Sequence, residues 1–141
     1  MSYKVEFKNY LDELHKSLCE VSDWMYENPE LGFQEFKTSK YLVDYIQKNS
    51  KSVNYPSHGL ETAFDVTFGE DGPLVVICVE YDALPEIGHA CGHNIIATAS
   101  IGAGLGLKDI ASKLGIRVKL LGTPAEEGGG GKIILIDEGA F

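Results

Sequence analysis

The chain has 141 residues, with 21 Asp and Glu against 12 Lys and Arg, which gives a formal net charge of −9. The length fits one domain with a sizeable core, and an apolar fraction of 44% excludes a disordered chain. The acidic balance argues against a nucleic-acid-binding protein, which needs a basic surface, and against electrostatic binding to anionic lipid. Three widely spaced cysteines, Cys19, Cys78 and Cys91, do not form a disulfide framework and favour a reducing compartment.

The sequence does not indicate a targeting segment. Residues 1–6 lack the apolar stretch of a secretory signal, and no apolar run approaches the roughly 18 residues that a membrane span requires. We therefore expect a cytoplasmic protein without a nucleic-acid or membrane partner. A homo-oligomer and a monomer both stay open.

Two amphipathic helices are predicted in the first third of the chain. The first carries apolar residues alternately three and four positions apart, which places them on one face: Leu11, Leu14, Leu18, Val21 and Met25. Asn28 and Pro29 end this helix, because a residue before proline avoids the helical region. A second helix is predicted over about residues 34–46, with an apolar stripe of Phe36, Leu42, Tyr45 and Ile46.

The pattern then changes to strands. Residues 62–68 alternate between apolar and other side chains, which predicts a half-buried strand. Residues 74–79 are apolar throughout, which is typical of a strand buried on both faces, as in a parallel sheet. A helix of small residues over about 92–107, a strand over 117–121 and a short helix over about 132–138 follow. This order predicts a layered α/β domain, with a partly parallel sheet and helices on both faces.

Glycine marks the part of the chain where a site is expected. Only Gly32, Gly59 and Gly69 lie in the first 71 residues, so the glycines are concentrated in the second half. Ligands of parallel sheets bind beyond the carboxyl ends of the strands. The two segments at such ends, residues 80–94 and 123–132, are therefore the candidates for a functional site.

The first candidate segment contains HACGHN at residues 89–94. Thiolate and imidazole are ligands that zinc prefers, and the glycine between Cys91 and His93 allows both to converge on one ion. Glu80 and Asp82 precede them and can hold a ring N–H or offset metal charge. The alternative is a buried thiol with two unrelated histidines. Cys78, inside the apolar run, is interpreted as a core cysteine.

The second candidate segment contains the adjacent carboxylates Glu126 and Glu127. Neighbouring side chains point in different directions, so one glutamate can coordinate a metal while the other acts as a general base. In isolation a solvated acidic turn is the better interpretation. The cysteine–histidine cluster at the end of another strand reverses that preference.

A run of four glycines and a lysine, residues 128–132, follows the glutamates. A phosphate-binding loop requires a glycine five residues before Gly131 and a Ser or Thr after Lys132, where this chain has Glu126 and Ile133. A nucleotide-binding domain is therefore the least favoured hypothesis. The run is interpreted as a segment that passes close to the site and starts a helix.

Four sequence blocks resemble those of the co-catalytic zinc metallopeptidase family that includes aminoacylase and glutamate carboxypeptidase. The closer resemblance is to its amidohydrolase branch, which contains indole-acetyl-amino-acid hydrolases and p-aminobenzoyl-glutamate hydrolase subunits. The blocks cover nearly the whole chain in order: NPELGFQE at residues 28–35, EYDALP at 80–85, GHACGHN at 88–94 and GTPAEEGGGGK at 122–132.

The resemblance implies a role for each matching residue. Cys91 matches the cysteine that bridges two metal ions, His93 a ligand of one ion, and Glu127 a ligand of the other. Glu126 matches the catalytic base. The implied cofactors are two divalent ions, zinc first, with manganese or cobalt as alternatives. The implied reaction is hydrolysis of the amide bond of a small molecule, an N-acyl amino acid or a dipeptide-like substrate.

The chain also departs from the family pattern. Asn94 stands where many members have Asp, and isoleucines follow where they have a histidine. This form looks more like the aminobenzoyl-glutamate hydrolases and related dipeptidases, which favours small peptides or folate breakdown products as substrates.

The family completes its metal site with two later histidines and carries an inserted dimerisation domain. We therefore expect residues 1–141 to be the N-terminal part of a single catalytic domain, without the dimerisation domain or the C-terminal part, and inactive alone. The alternative is a catalytically dead binding or interaction module derived from such an enzyme.

Overall fold

The computed structural model describes residues 2–141. Five helices and three strands follow one another in the order α1 (Tyr3–Glu27), α2 (Phe36–Asn49), β1 (Phe64–Phe68), β2 (Leu74–Val79), α3 (His93–Leu107), α4 (Ala111–Leu114), β3 (Arg117–Gly122) and α5 (Gly131–Asp137). The predicted elements are all present within a few residues of their expected bounds. The short helix α4 has no counterpart among them, because one turn is too short to show an apolar period.

The three strands form one mixed sheet with β3 at its centre. β2 pairs with β3 in parallel, so Val79 lies opposite Gly122, and β1 pairs with β3 antiparallel, so Phe64 lies opposite the same residue. The carboxyl ends of β2 and β3 and the start of β1 therefore lie at the same end of the sheet. This confirms the partly parallel sheet and brings the two candidate segments to the same end of it.

Helices cover both faces of the sheet, as predicted. On one face, Val118 and Leu120 of β3 join the main core with buried residues of α1, α2 and α3. On the other face, Leu121 packs with Leu135 of α5 and with Ala140. Neighbouring residues of a strand point to opposite sides, so β3 contributes to both cores.

The exposure of two strands differs from the prediction. β1 is an outer strand of the sheet, yet it is buried at four of its five positions rather than half-buried, because Asn54 pairs with Asp65 along its outer side. β2 is largely half-buried, and Val75 is exposed, because among the described residues no further segment pairs with the outer side of β2. Cys78 in β2 is likewise half-buried rather than a full core residue, and burial raises the pKa of its thiol.

The predicted apolar stripe of α2 also needs one correction. Leu42 and Ile46 are buried, but Phe36 is exposed, because it is the first residue of the helix and lies beyond the core.

Among residues 2–141, no helix combines the length and the apolar character that crossing a membrane requires.

Close packing of α3 on the sheet depends on glycine. A Cβ atom on Gly104 would lie 2.5 Å from the Cδ2 and Cγ atoms of the buried Leu120 side chain. On the same helix, a Cβ atom on Gly102 would lie 3.1 Å from Cδ1 of Leu18, which is only partly buried and can shift. These two positions separate steric packing from helix propensity.

We predict that Gly104→Ala lowers the free energy of unfolding by about 1–3 kcal/mol, because overpacking outweighs the higher helix propensity of alanine. Gly102→Ala is the matched control and is expected to be neutral or stabilising. Urea denaturation of both variants measures the difference. Equal stability of the two variants would contradict the proposed packing of α3 against Leu120.

Candidate metal centre

The ends of β2 and β3 are tied together where the candidate segments begin. The backbone N–H of Thr123 donates to the carbonyl oxygen of Val79 at 2.8 Å, and the Thr123 hydroxyl donates to the same oxygen at 3.1 Å. Glu80 and Asp82 follow β2, and the glutamate pair follows β3, so all four carboxylates lie at the same end of the sheet.

His93 is the first residue of α3, and its imidazole lies at this end of the sheet. The residue before it, Gly92, has φ 78°, a left-handed conformation that glycine adopts without strain. His93 is buried, and its Nδ1 lies 2.8 Å from the carbonyl oxygen of Asp82. A carbonyl oxygen can only accept, so Nδ1 carries a hydrogen, and in the neutral imidazole Nε2 is the nitrogen that can bind a metal ion.

Three carboxylates face that Nε2 atom. The distances to the nearest oxygens of Glu80, Glu126 and Glu127 are 3.5, 3.6 and 3.8 Å. The donor atoms of Glu80, His93 and Glu126 all lie within 4.8 Å of one another. Carboxylates gathered this closely around one atom repel one another in the absence of a positive charge. The donor set therefore suits a divalent cation.

Asp82 organises the site from below. Its carboxylate is buried, and Oδ2 accepts a hydrogen bond from the backbone N–H of Glu127 at 2.8 Å. Its other oxygen lies 3.3 Å from Nδ1 of His93. Asp82 thus touches both the imidazole and the backbone of the glutamate pair, which fits a supporting role around a ligating histidine.

One lysine balances part of this negative charge. Nζ of Lys132 donates to Oε1 of Glu80 at 2.6 Å. The other oxygen of Glu80 is the one that faces His93. Lys132 follows the glycine run, so the run returns the chain to the site and begins α5.

Cys91 lies at the exposed rim of the same cluster. The nearby carboxylate of Glu127 is the largest cause of a raised pKa of its thiol, and desolvation and the charges of Glu126 and Asp82 raise that pKa further. A thiol in such surroundings keeps its proton until a cation offsets the carboxylates.

The structure brings the four predicted residues to one end of the sheet: Cys91, His93, Glu126 and Glu127. The sequence alone did not place Glu80 directly against His93, since no spacing rule reveals which carboxylate of residues 80–82 points inward. His89 is not in the group of donor atoms that Glu80, His93 and Glu126 form. It is buried, its ring nitrogens have no hydrogen-bond partner among the described residues, and burial and the charge of His93 lower its pKa.

The chain is similar in sequence to hydrolases. No protein-family profile matches it. It is 39% identical over 145 residues to the Xaa-Arg dipeptidase of Mus musculus, covering 93% of this chain and 34% of that protein. It is 30% identical over 141 residues to one of the subunits of p-aminobenzoyl-glutamate hydrolase from Escherichia coli (strain K12), covering 86% and 29%. The chain thus spans about a third of the length of these relatives.

The fold matches that of a solved structure. The Bacillus subtilis YXEP protein, a dinuclear metal binding peptidase from the M20 family, superposes with a TM-score of 0.80 at 26% identity, covering 92% of this chain and 40% of that one. The layered α/β fold is therefore confirmed. The resemblance to the amidohydrolase branch of the co-catalytic metallopeptidases is also confirmed, because the similar proteins are a dipeptidase, a hydrolase subunit and a dinuclear metal binding peptidase.

The raised pKa of Cys91 gives a pH-dependent prediction for the metal-free protein. Because the carboxylate of Glu127 disfavours the thiolate, alkylation of Cys91 should rise with pH around a midpoint above that of an ordinary thiol. Glu127→Gln removes that charge and should move the midpoint to lower pH. Peptide-resolved mass spectrometry after iodoacetamide treatment, with chelator present, distinguishes Cys91 from exposed Cys19, the internal control. An unchanged Cys91 midpoint in the variant would contradict the effect of Glu127 on the pKa of this thiol.

Proposed function

We propose that this chain carries part of the active site of a metal-dependent amidohydrolase. The reaction is hydrolysis of an amide bond in N-acyl amino acids or dipeptide-like small molecules. The observation that carries the proposal is the position of Nε2 of His93, which faces three carboxylates at 3.5–3.8 Å. The dipeptidase and hydrolase names of the relatives support the substrate class.

In this proposal Cys91, His93 and Glu127 hold two divalent ions, zinc first and manganese or cobalt as alternatives. Ions bound there supply Lewis-acid polarisation of the scissile carbonyl and a lower pKa of water. The hydrogen bond from Nδ1 to Asp82 keeps the His93 lone pair directed at the site.

Glu126 is the proposed general base. Its side chain is 39% exposed, so it is reachable by water and substrate. Its position beside Glu127 lets one carboxylate hold metal while the other accepts a proton from water and passes it to the leaving amine. Lys132 keeps one oxygen of Glu80 neutralised, which leaves the other oxygen for the site.

The relatives are about three times as long as the matched region. We therefore propose that residues 1–141 correspond to the N-terminal part of a catalytic domain and that further ligands come from other parts of the family sequence. The free thiols of Cys19, Cys78 and Cys91 fit the proposed cytoplasmic location. A homo-oligomeric active form is compatible with this proposal.

Cobalt binding tests the proposed ligands. Co²⁺ added to the 141-residue chain should give a thiolate-to-cobalt charge-transfer absorption that is lost in Cys91→Ser and kept in the matched control Cys78→Ser. Glu127→Gln and His93→Ala should weaken binding at least about tenfold, whereas Glu126→Gln should bind within a few fold of the parent chain. Charge-transfer absorption that survives Cys91→Ser would contradict the proposed site.

The isolated chain is expected to show little or no turnover, because three ligands hold two ions incompletely. The measurement is chromatographic release of free amino acid from N-acyl amino acids and dipeptides with zinc, manganese or cobalt present. The control is Glu126→Gln, which lacks the proposed base. Turnover at an ordinary enzyme rate that Glu126→Gln abolishes would contradict the incompleteness of this site while supporting the role of Glu126.

A further inference from the structure

We propose that Glu35 is a positioning residue whose buried side chain fixes the backbone at Ala125 and thereby the directions of Glu126 and Glu127. The proposal rests on the proposed function, since those two glutamates are the groups being positioned. It assigns a task to the first sequence block, residues 28–35, which contributes no side chain to the candidate metal centre.

Glu35 is fully buried and makes two hydrogen bonds. Its Oε1 accepts from the backbone N–H of Ala125 at 2.8 Å, and its Oε2 accepts from the Thr62 hydroxyl at 3.0 Å. The carbonyl of Thr62 in turn accepts from the hydroxyl of the buried Tyr81 at 2.5 Å. This chain of bonds connects the segment after β2 with the segment after β3, both of which supply the metal centre.

The side chain of Glu35 is not used to cap its own helix. Glu35 occupies the N-cap position of α2 but makes no side-chain capping bond. The carboxylate of Glu30 instead accepts from the backbone N–H groups of Lys37 and Thr38, at 3.2 and 2.7 Å. Glu30 therefore caps the start of α2, and the side chain of Glu35 is directed inward to Ala125.

Ala125 is a position that needs such a partner. It has φ 55°, a left-handed conformation that is uncommon for a residue with a Cβ atom and persists only where its surroundings impose it. The surroundings here are Glu35 on its N–H and the N–H of Gly131 on its carbonyl, at 3.1 Å. Without Glu35 the buried N–H is unpaired, and relaxation of φ turns the following residues away from His93.

The first block, residues 28–35, is also in direct contact with the segments that follow β2 and β3. A Cβ atom on Gly32 would lie 3.1 Å from both Cα and Cβ of Ala125. The N–H of Ala83 donates to the carbonyl of Glu30 at 2.8 Å. The first block therefore rests on both strand-end segments, and a change at Glu35 is transmitted to the metal centre through Ala125.

The test compares length with charge at position 35. Glu35→Gln keeps the length, and its amide oxygen can accept from Ala125 while the Thr62 hydroxyl turns to accept from the amide NH₂. Glu35→Asp keeps the carboxyl group but is one methylene shorter and cannot reach both partners. Cobalt affinity and the cobalt ligand-field spectrum report site geometry, and urea denaturation confirms that each variant is folded.

We expect Glu35→Gln to bind Co²⁺ within about threefold of the parent chain with the same spectrum. We expect Glu35→Asp to bind at least about tenfold more weakly with an altered spectrum. Parent-like binding by Glu35→Asp, or binding by Glu35→Gln as weak as that of Glu35→Asp, would overturn the proposal.

Amide hydrogen exchange at Ala125, measured by NMR without metal, separates this inference from the proposed function. Protection in the parent chain and in Glu35→Gln but not in Glu35→Asp supports the positioning role even if the parent chain binds no cobalt, which would count against the proposed function alone. Equal protection in all three proteins overturns the positioning role even if cobalt binds as proposed.

Discussion

Electrostatic repulsion among carboxyl groups is the constraint on which this end of the molecule depends. In a chain of net charge −9, four of them surround the imidazole of His93: Glu80, Asp82, Glu126 and Glu127. Two are compensated within the protein, Asp82 by the backbone amide of Glu127 and Glu80 by Lys132. The cation that we propose would compensate the others, which is why we interpret the cluster as a metal centre rather than an acidic surface.

The fold meets this constraint through the pairing of β2 and β3. Parallel strands end at the same edge, and the hydrogen bonds from Thr123 to Val79 extend that pairing one residue beyond the sheet. Each strand then delivers its polar segment to one side of α3. The left-handed Gly92 and Ala125 make the sharp turns that direct His93 and the glutamates toward each other.

Patterns of apolar residues predicted the helices and strands well, because periodicity records which face is buried. They did not predict that β2 is an edge strand with Val75 exposed, since strand order is a property of tertiary pairing. The strand-end rule and ligand chemistry pointed to Cys91 and the glutamate pair. They could not reveal Glu35, because a buried carboxylate whose partner is a backbone amide 90 residues away leaves no local pattern.

X-ray absorption at the zinc edge of the zinc-loaded chain tests the proposed metal centre directly. We expect a sulfur neighbour, contributed by Cys91, at about 2.3 Å from zinc, and nitrogen and oxygen neighbours, contributed by His93 and glutamate, at about 2.0–2.2 Å. The sulfur contribution should disappear in Cys91→Ser. A zinc environment of nitrogen and oxygen alone in the parent chain, or sulfur that remains in Cys91→Ser, would exclude Cys91 as a metal ligand.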